Sequence, residues 1–420
     1  MMTAFHYQNG ALYAENVSVE SVARKVPTPF YLYSEQQIRS QMRAFTEAAR
    51  KHLPSFQVCF ALKSNANPSV IGILASMGAG ADIVSGGELF LALKAGIPAD
   101  KIVFSGVGKT REELTAAVEK EIGRINLESA EEAEMLEEIA LLAGKKVRVA
   151  VRVNPDVDAH THQKITTGKK ENKFGIVWRE ARPLYRRLAK SKVLLPVGLD
   201  VHVGSQLLET EPFAEAFGRA AEIVRTLKED GIVLETIDVG GGLGVAYREE
   251  DKPCTPEEYM KTVADYLRDS GCKIIFEPGR FLVAPAGVLV SRVVRVKHTS
   301  EKDFLVLDAG MNDLIRPAIY DAYHAVTPVK EEAKTGTYDV VGPICESSDI
   351  FGKNRALPVM STGDLVVLET AGAYGSSMGS NYNFRPLCAE VLVNGNDFAV
   401  VREAQTFEEM LSKNRPAPWI

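Results

Sequence analysis

The sequence predicts a closed parallel (β/α)8 barrel, a TIM barrel, followed by a second, mostly antiparallel β domain. Three observations lead there. Eight short β-branched runs recur with amphipathic stretches between them. Chemistry-bearing residues stand where those runs end, as in barrels that build their site at one rim. After Arg280 the rhythm changes to strand-like runs separated by Gly, Pro and Asn turns. The division falls at 35–282 for the barrel, with 1–34 and 283–420 forming the β domain.

The first run is 57–63, Gln-Val-Cys-Phe-Ala-Leu-Lys, closed by the turn-forming Ser64-Asn-Ala-Asn-Pro68. Others follow at 82–85, 102–106, 124–128 and 147–153, and after a long polar insertion at 197–203, 236–240 and 273–277. The first four spacings between run starts are 20 to 25 residues, near the minimum for a strand, a crossover helix and the next strand. Segments 69–77 and 129–143 place apolar residues at helical spacing. The second opens with Ser129 and carries Glu132 three residues on, a capping-box signature. An open doubly wound sheet is the competing arrangement. Eight runs with site residues at successive ends favour closure.

Beyond the barrel, 287–296, 303–307, 364–369, 389–393 and 398–401 read as strands. The segment up to Tyr33, with Pro27-Thr-Pro-Phe-Tyr-Leu-Tyr33, has no place in the βα rhythm and is expected to pair with the C-terminal sheet.

Composition narrows the function classes. The chain has 420 residues, 45% hydrophobic and 25% charged, which excludes a disordered, fibrous or disulfide-stapled protein. Lys and Arg number 49 against 55 Asp and Glu, a net −6, which argues against nucleic-acid binding through bulk basicity. No apolar run approaches the roughly 20 residues needed to cross a bilayer. Cysteines 59, 254, 272, 345 and 388 are scattered with no CxxC pair, and the polar opening 1–10 lacks a signal-peptide pattern. The expectation is a cytoplasmic protein with reduced thiols.

Lys63 follows the apolar Cys59-Phe-Ala-Leu62. There it is either a snorkelling strand-edge lysine or an amine whose charged form desolvation disfavours, suited to imine formation. His202, in His202-Val-Gly-Ser-Gln206, is either a satisfied core residue or a site residue. The cluster Gly240-Gly-Gly-Leu-Gly244 is either a plain turn or a set of backbone N–H groups converging on an anion. Its place after the seventh run favours phosphate. The eighth run ends Glu277-Pro-Gly-Arg280, adding a carboxylate and a guanidinium. A phosphate cradle, an imine-forming lysine and an acid together describe a pyridoxal 5'-phosphate site.

Six motifs then make a resemblance specific. These are Phe60-Ala-Leu-Lys-Ser-Asn65, His202-Val-Gly-Ser-Gln206, Gly240-Gly-Gly242, Glu277-Pro-Gly-Arg280, Gly342-Pro-Ile-Cys-Glu-Ser347 and Ala371-Gly-Ala-Tyr-Gly375. In that order and spacing, from about 28 to 386, the chain resembles the fold-type III pyridoxal-phosphate decarboxylases, and most of all their diaminopimelate decarboxylase branch. The resemblance implies an alanine-racemase-like barrel with a C-terminal β domain. Phe-Ala-Leu-Lys stands where tyrosine and alanine are commoner, and valine replaces the usual isoleucine after His202; neither change touches the chemistry.

The resemblance also implies roles. Lys63 holds the cofactor as an internal aldimine, Glu277 pairs with the pyridine nitrogen and His202 stacks on the ring. Ser205, Gly240, Gly241, Gly242, Gly279 and Arg280 take the phosphate. Asp82 and Glu88 match acidic positions around the cofactor and His202, or are ordinary strand-end and helix-start acids. Cys345 matches the acid that reprotonates the α-carbon, since a thiol can give a proton to a carbanion. Arg316, Tyr320 and Arg280 match binders of a substrate carboxylate, Glu346 the acceptor of the distal ammonium, and Tyr374 a contact to cofactor and substrate. A surface arginine is the other reading of Arg316. The segment 158–168 with Lys173-Phe-Gly175 resembles the family's mobile segment; His160 and His162 lack a third ligand at suitable spacing, so no metal is assigned.

The expected activity is decarboxylation of meso-2,6-diaminopimelate to L-lysine and carbon dioxide, the last step of bacterial lysine synthesis. It is expected in a homodimer with composite active sites, because Cys345 and Glu346 reach the site from the partner in this family. Alternatives are a sister decarboxylase of another basic or dicarboxylic amino acid or of a carrier-bound one, a catalytically silent binding or regulatory relative, and a metal- or sugar-phosphate-dependent barrel enzyme, since Lys63 alone could serve an aldolase.

Overall fold

The computed structural model describes residues 4–154, 173–333 and 335–420. His160, His162 and the rest of 158–168 lie outside the described residues. The chain forms two compact units, 39–246 with 250–282, and 1–38 with 247–249 and 283–420.

In the first unit eight strands run parallel: β1 Phe56–Ala61, β2 Gly80–Ile83, β3 Ile102–Phe104, β4 Arg124–Leu127, β5 Val147–Asn154, β6 Leu194–Asp200, β7 Thr236–Asp238 and β8 Lys273–Phe276. Each pairs with the next, and β8 returns to β1 through Ile274–Phe56, Ile275–Gln57 and Phe276–Val58. The sheet therefore closes, and the doubly wound alternative is excluded. Strands β2, β3, β4 and β7 are buried at every residue, as expected of a parallel sheet covered outside and filled inside. The filling is partly polar: Asp82, Arg124, Asn126, Asp200 and Asp238 are all buried.

The crossover helices start where short polar side chains cap them. Asn67 accepts from Ser69 N, Ser85 from Glu88 N and Thr110 from Glu113 N. At Ala130–Ala143 the expected capping box is only half made. Ser129 accepts from Glu132 N, but the Glu132 carboxylate turns to Glu128 N at 2.8 Å and Lys109 Nζ at 2.6 Å. The buried Lys109 ammonium also donates to the carbonyls of Gly106 and Asn126, both at 2.7 Å, so each of its three donors has a partner. A buried ammonium attracts the carboxylate more strongly than one backbone N–H can.

In the second unit Phe30–Ser34 pairs antiparallel with Gly287–His298 and parallel with Ala389–Asn394, so the N-terminal segment does join the C-terminal sheet. Asp303–Leu307, Thr335–Val341 and Ile350–Pro358 extend one side and Asp397–Arg402 the other. Phe30, Leu32, Val288, Val290 and Val391 form its core. Sequence patterning passed over Thr335–Val341 and Ile350–Pro358, whose burial does not alternate cleanly, and the small sheet of Phe5–Gln8, Ala11–Ala14 and Val17–Ser18. Among the described residues no helix is long and apolar enough to cross a membrane.

Lys109→Met leaves the Glu132 carboxylate buried without its cation. It should lower stability by about 3–5 kcal/mol in a urea titration; a loss below about 1 kcal/mol would place the pair in the class of solvated ion pairs.

Candidate active site

The C-terminal ends of the barrel strands carry the residues expected of the barrel unit. β1 stops at Ala61 and Lys63 sits in the 3-10 turn Leu62–Ser64 that follows. Its Nζ donates to Asp82 Oδ2 at 2.8 Å; the Lys63 side chain is 41% exposed and Asp82 fully buried on β2. Of the two readings of Lys63, this exposure fits the amine at the strand edge and not the desolvated one. The turn lifts Lys63 out of the apolar run, and a buried carboxylate holds it at the rim.

Glu88, in the first turn of helix Gly86–Lys94, accepts the Val84 N–H at 2.6 Å. Burial pushes its carboxyl up to about 7, opposed by the Val84 hydrogen bond and reinforced by the Asp82 charge.

His202 lies two residues beyond β6. Gly241 N–H donates to its Nδ1 at 3.3 Å, so that nitrogen carries the lone pair. Burial, with the positive charges of Arg152 and Lys63, holds the imidazole well below its ordinary pKa, so the ring is neutral. The glycine cluster is built for this contact. Gly240 has φ +65, and a Cβ there would collide with His202 Nδ1. A Cβ on Gly241 would collide with the carbonyl of Glu277. Gly240 O accepts from Glu277 N at 2.8 Å, joining the ends of β7 and β8.

Glu277 is buried, and burial together with Asp238, Asp82 and Asp200 pushes its carboxyl well above the usual range, with Lys63 opposing. Gly279 follows, so close to Ser64 that a Cβ would come within 2.9 Å of its side chain. Arg280 is buried and donates from Nη2 to Ser205 Oγ at 3.1 Å.

Five expected residues belong to the β unit. Arg316 is buried, which excludes the surface reading. It donates from Nη1 to His324 Nε2 at 2.8 Å and lies 4.7 Å from the centre of the Tyr247 ring. His324 Nδ1–H in turn donates to Glu369 O at 2.7 Å, fixing the tautomer. Tyr320 ends the short helix Arg316–Tyr320. Cys345 and Glu346 are exposed, with Cys345 N donating to Asn383 Oδ1 at 2.8 Å and the Tyr382 hydroxyl to Glu346 at 3.3 Å. Buried Asp349 shapes their loop by accepting from Ile344 N at 2.7 Å and Met311 N at 2.6 Å. Tyr374 sits at φ +56 before Gly375, where a Cβ would press on the Tyr31 hydroxyl.

Sequence reasoning missed the polar interior of the barrel. Arg152 pairs with Glu128 at 2.9 Å, and Glu128 accepts Gly175 N at 2.6 Å. Arg124 pairs with Asp238, and Asn126 donates to Ser105 Oγ at 3.1 Å. The missed signal was present: Arg124, Asn126 and Glu128 alternate within one β-branched run, the period of an inward face. Among the described residues there is no His, Cys, Asp and Glu group that could hold a metal ion.

Residues 35–284 match the family model described as pyridoxal-dependent decarboxylase, pyridoxal binding domain. A diaminopimelate decarboxylase of Zymomonas mobilis is 44% identical over 100% of both chains. That of Pseudomonas fluorescens is 47% identical over 98% of each. The crystal structure of the Helicobacter pylori diaminopimelate decarboxylase complexed with L-lysine is 41% identical, covers 94% of this chain and 98% of its own, and superposes with a TM-score of 0.90.

The neutral His202 sets an acid limb of stability. As pH falls through the ordinary histidine range near ~6.5, the unfolded chain takes up a proton that the folded site refuses. Stability attributable to His202 should fall with decreasing pH, by up to about 1.4 kcal/mol per unit. Denaturation midpoints between pH 7 and pH 5 should therefore drop more steeply for the wild type than for His202→Gln; parallel curves would contradict a neutral His202.

Proposed function

Because the chain belongs to the pyridoxal-dependent decarboxylases, and within them to the diaminopimelate decarboxylases, we propose that it converts meso-2,6-diaminopimelate to L-lysine and carbon dioxide, the last step of bacterial lysine synthesis. The rim-exposed Lys63 amine, held on buried Asp82 beside a glycine cradle, carries this reading.

The residues present fit pyridoxal phosphate. A primary amine stands at the rim, and backbone too tight for side chains runs through Gly240 and Gly241. Arg280 and Ser205 stand together for an anion, and Glu277 brings a buried carboxyl for a ring nitrogen. Bound there, the cofactor supplies an aldehyde that joins amines and a ring that takes up the electrons left behind by carbon dioxide.

Lys63 holds the aldehyde carbon and Asp82 orients its amine. Gly240, Gly241, Gly242, Gly279, Arg280 and Ser205 bind the phosphate. Glu277 partners the ring nitrogen. His202, kept neutral, offers a flat ring face that adds no charge against a cationic ring. Tyr374 contacts cofactor and substrate.

At the substrate's far end stand a carboxylate and an ammonium. Arg316, its plane held by His324 and the Tyr247 ring, binds the carboxylate with Tyr320. Glu346 takes the ammonium. Cys345 Sγ holds the proton that the α-carbon takes up once carbon dioxide has left. The working form is a cytoplasmic homodimer whose Cys345–Glu346 loop completes the partner's site. Exposure of that loop beside exposed Tyr382 and Phe384, the latter stacked on exposed Phe407 at 6.3 Å, supports a covered surface there.

Carbon dioxide should be released from meso-diaminopimelate when pyridoxal phosphate is supplied, and far more slowly from ornithine or arginine; no release from meso-diaminopimelate ends the substrate assignment. Lys63→Ala should abolish the borohydride-reduced pyridoxyl adduct and nearly all turnover, whereas wild-type-like turnover would remove its role. Cys345→Ala should lower kcat by about 100-fold or more with KM little changed, and an unchanged kcat would take the thiol out of the reaction.

A further inference from the structure

Arg124 opens β4 at the end of the barrel opposite the site and turns inward. Its Nη2 donates to Asp238, its Nη1 to Thr236 Oγ1 at 2.7 Å and its Nε to Asn126 Oδ1 at 2.9 Å. Asn126 Nδ2 donates to Ser105 Oγ at 3.1 Å, and the Ser105 hydroxyl reaches Glu277 Oε1 at 3.4 Å. Asp238 also accepts Gly240 N–H at 3.0 Å, and Gly240 O accepts Glu277 N–H at 2.8 Å, which brings the two acids together at the ends of neighbouring strands. Contacts thus run from Arg124 to Asp238 on one side and through Asn126 and Ser105 to Glu277 on the other. Arg124, Asn126, Ser105, Asp238 and Glu277 are all buried.

Two carboxyl groups buried this close together cannot both ionise at low cost, so one of them keeps a proton. The surroundings decide which group carries it. Asp238 receives a guanidinium and a backbone N–H, both of which favour its ionised form. Glu277 receives one hydroxyl and faces the carboxyls of Asp82, Asp200 and Asp238, with the Lys63 cation on the other side. The proton belongs on Glu277.

We infer that Asp238, kept ionised by Arg124, loads Glu277 with a proton that it surrenders only when a cationic ring nitrogen comes to lie against it. This rests on the assignment of Glu277 to the ring nitrogen made above. The exchange balances: the Glu277 O–H bond breaks, its proton leaves to solvent, and the pyridinium N–H takes its place beside the carboxylate. One positive charge departs and one arrives, so the buried site never carries an uncompensated charge. Asp238 is a positioning residue, acting on the cofactor only through Glu277.

Binding of pyridoxal phosphate to the cofactor-stripped full chain, followed by calorimetry near neutral pH in two buffers of different ionisation enthalpy, counts the protons released. The wild type should release about one proton more than Asp238→Asn, in which the neighbouring charge that holds the proton on Glu277 is gone. Arg124→Lys, which keeps the cation, should release as many as the wild type. Equal release by wild type and Asp238→Asn overturns the inference. Should that variant fail to fold, infrared spectra decide: the carboxylic-acid carbonyl band that moves in D2O and is missing from Glu277→Gln should vanish from the wild type on binding, and its persistence is refuting. A wild type that binds no pyridoxal phosphate ends the functional reading itself, whereas binding without the extra proton ends only this inference.

Discussion

A closed barrel that carries charge in its interior must balance that charge within a few ångströms, and this constraint organises the site. Asp82, Asp200, Asp238 and Glu277 are buried within it. Lys63 answers Asp82, Arg124 answers Asp238, and Arg152 lies between Glu128 and Asp200 at 2.9 and 4.0 Å. Where the balance is incomplete, the acids respond by keeping protons. Burial and Asp238 push the Asp200 carboxyl up to about 8 despite Arg152, and burial with its acidic neighbours pushes Glu277 well above its usual range. The same fields leave His202 uncharged. Protonation states at the rim are thus set by partners deeper in the barrel.

In the β unit, positioning relies on buried polar groups beneath exposed chemistry. Asp349 gathers two backbone N–H groups under the Cys345 loop, and His324 fixes Arg316 while being fixed by Glu369 O. Exposed residues can be placed accurately only when such internal bonds remove their rotational freedom. The inner sheet adds two further ties, Tyr31 to Asp313 O at 2.7 Å and Tyr33 to Glu390 at 2.6 Å.

The barrel strands were legible because a parallel sheet buried on both faces demands continuous β-branched runs, and loops between them stay short. Most of those runs matched the strands to within a few residues, and the glycines after β7 announced themselves because no other residue tolerates such backbone approach. The strands Thr335–Val341 and Ile350–Pro358 were not legible, since mixed burial blurs the two-residue period. Lys63 kept two readings open for a related reason: an apolar run says that a strand is buried, not where it stops, and the 3-10 turn begins one residue before the lysine.

Sequence by itself determined the order of the barrel elements and the residue types at the rim, because these follow from local patterning and spacing; closure was settled by the pairing of β8 with β1. Tertiary structure alone decided which charges meet. Arg124 and Asp238 are 114 positions apart and Lys63 and Asp82 19 apart, and only the curvature of the closed sheet brings each pair into contact. Since a buried charge is set by whatever lies within a few ångströms of it, the proton inventory of the site is a property of the fold and not of any segment.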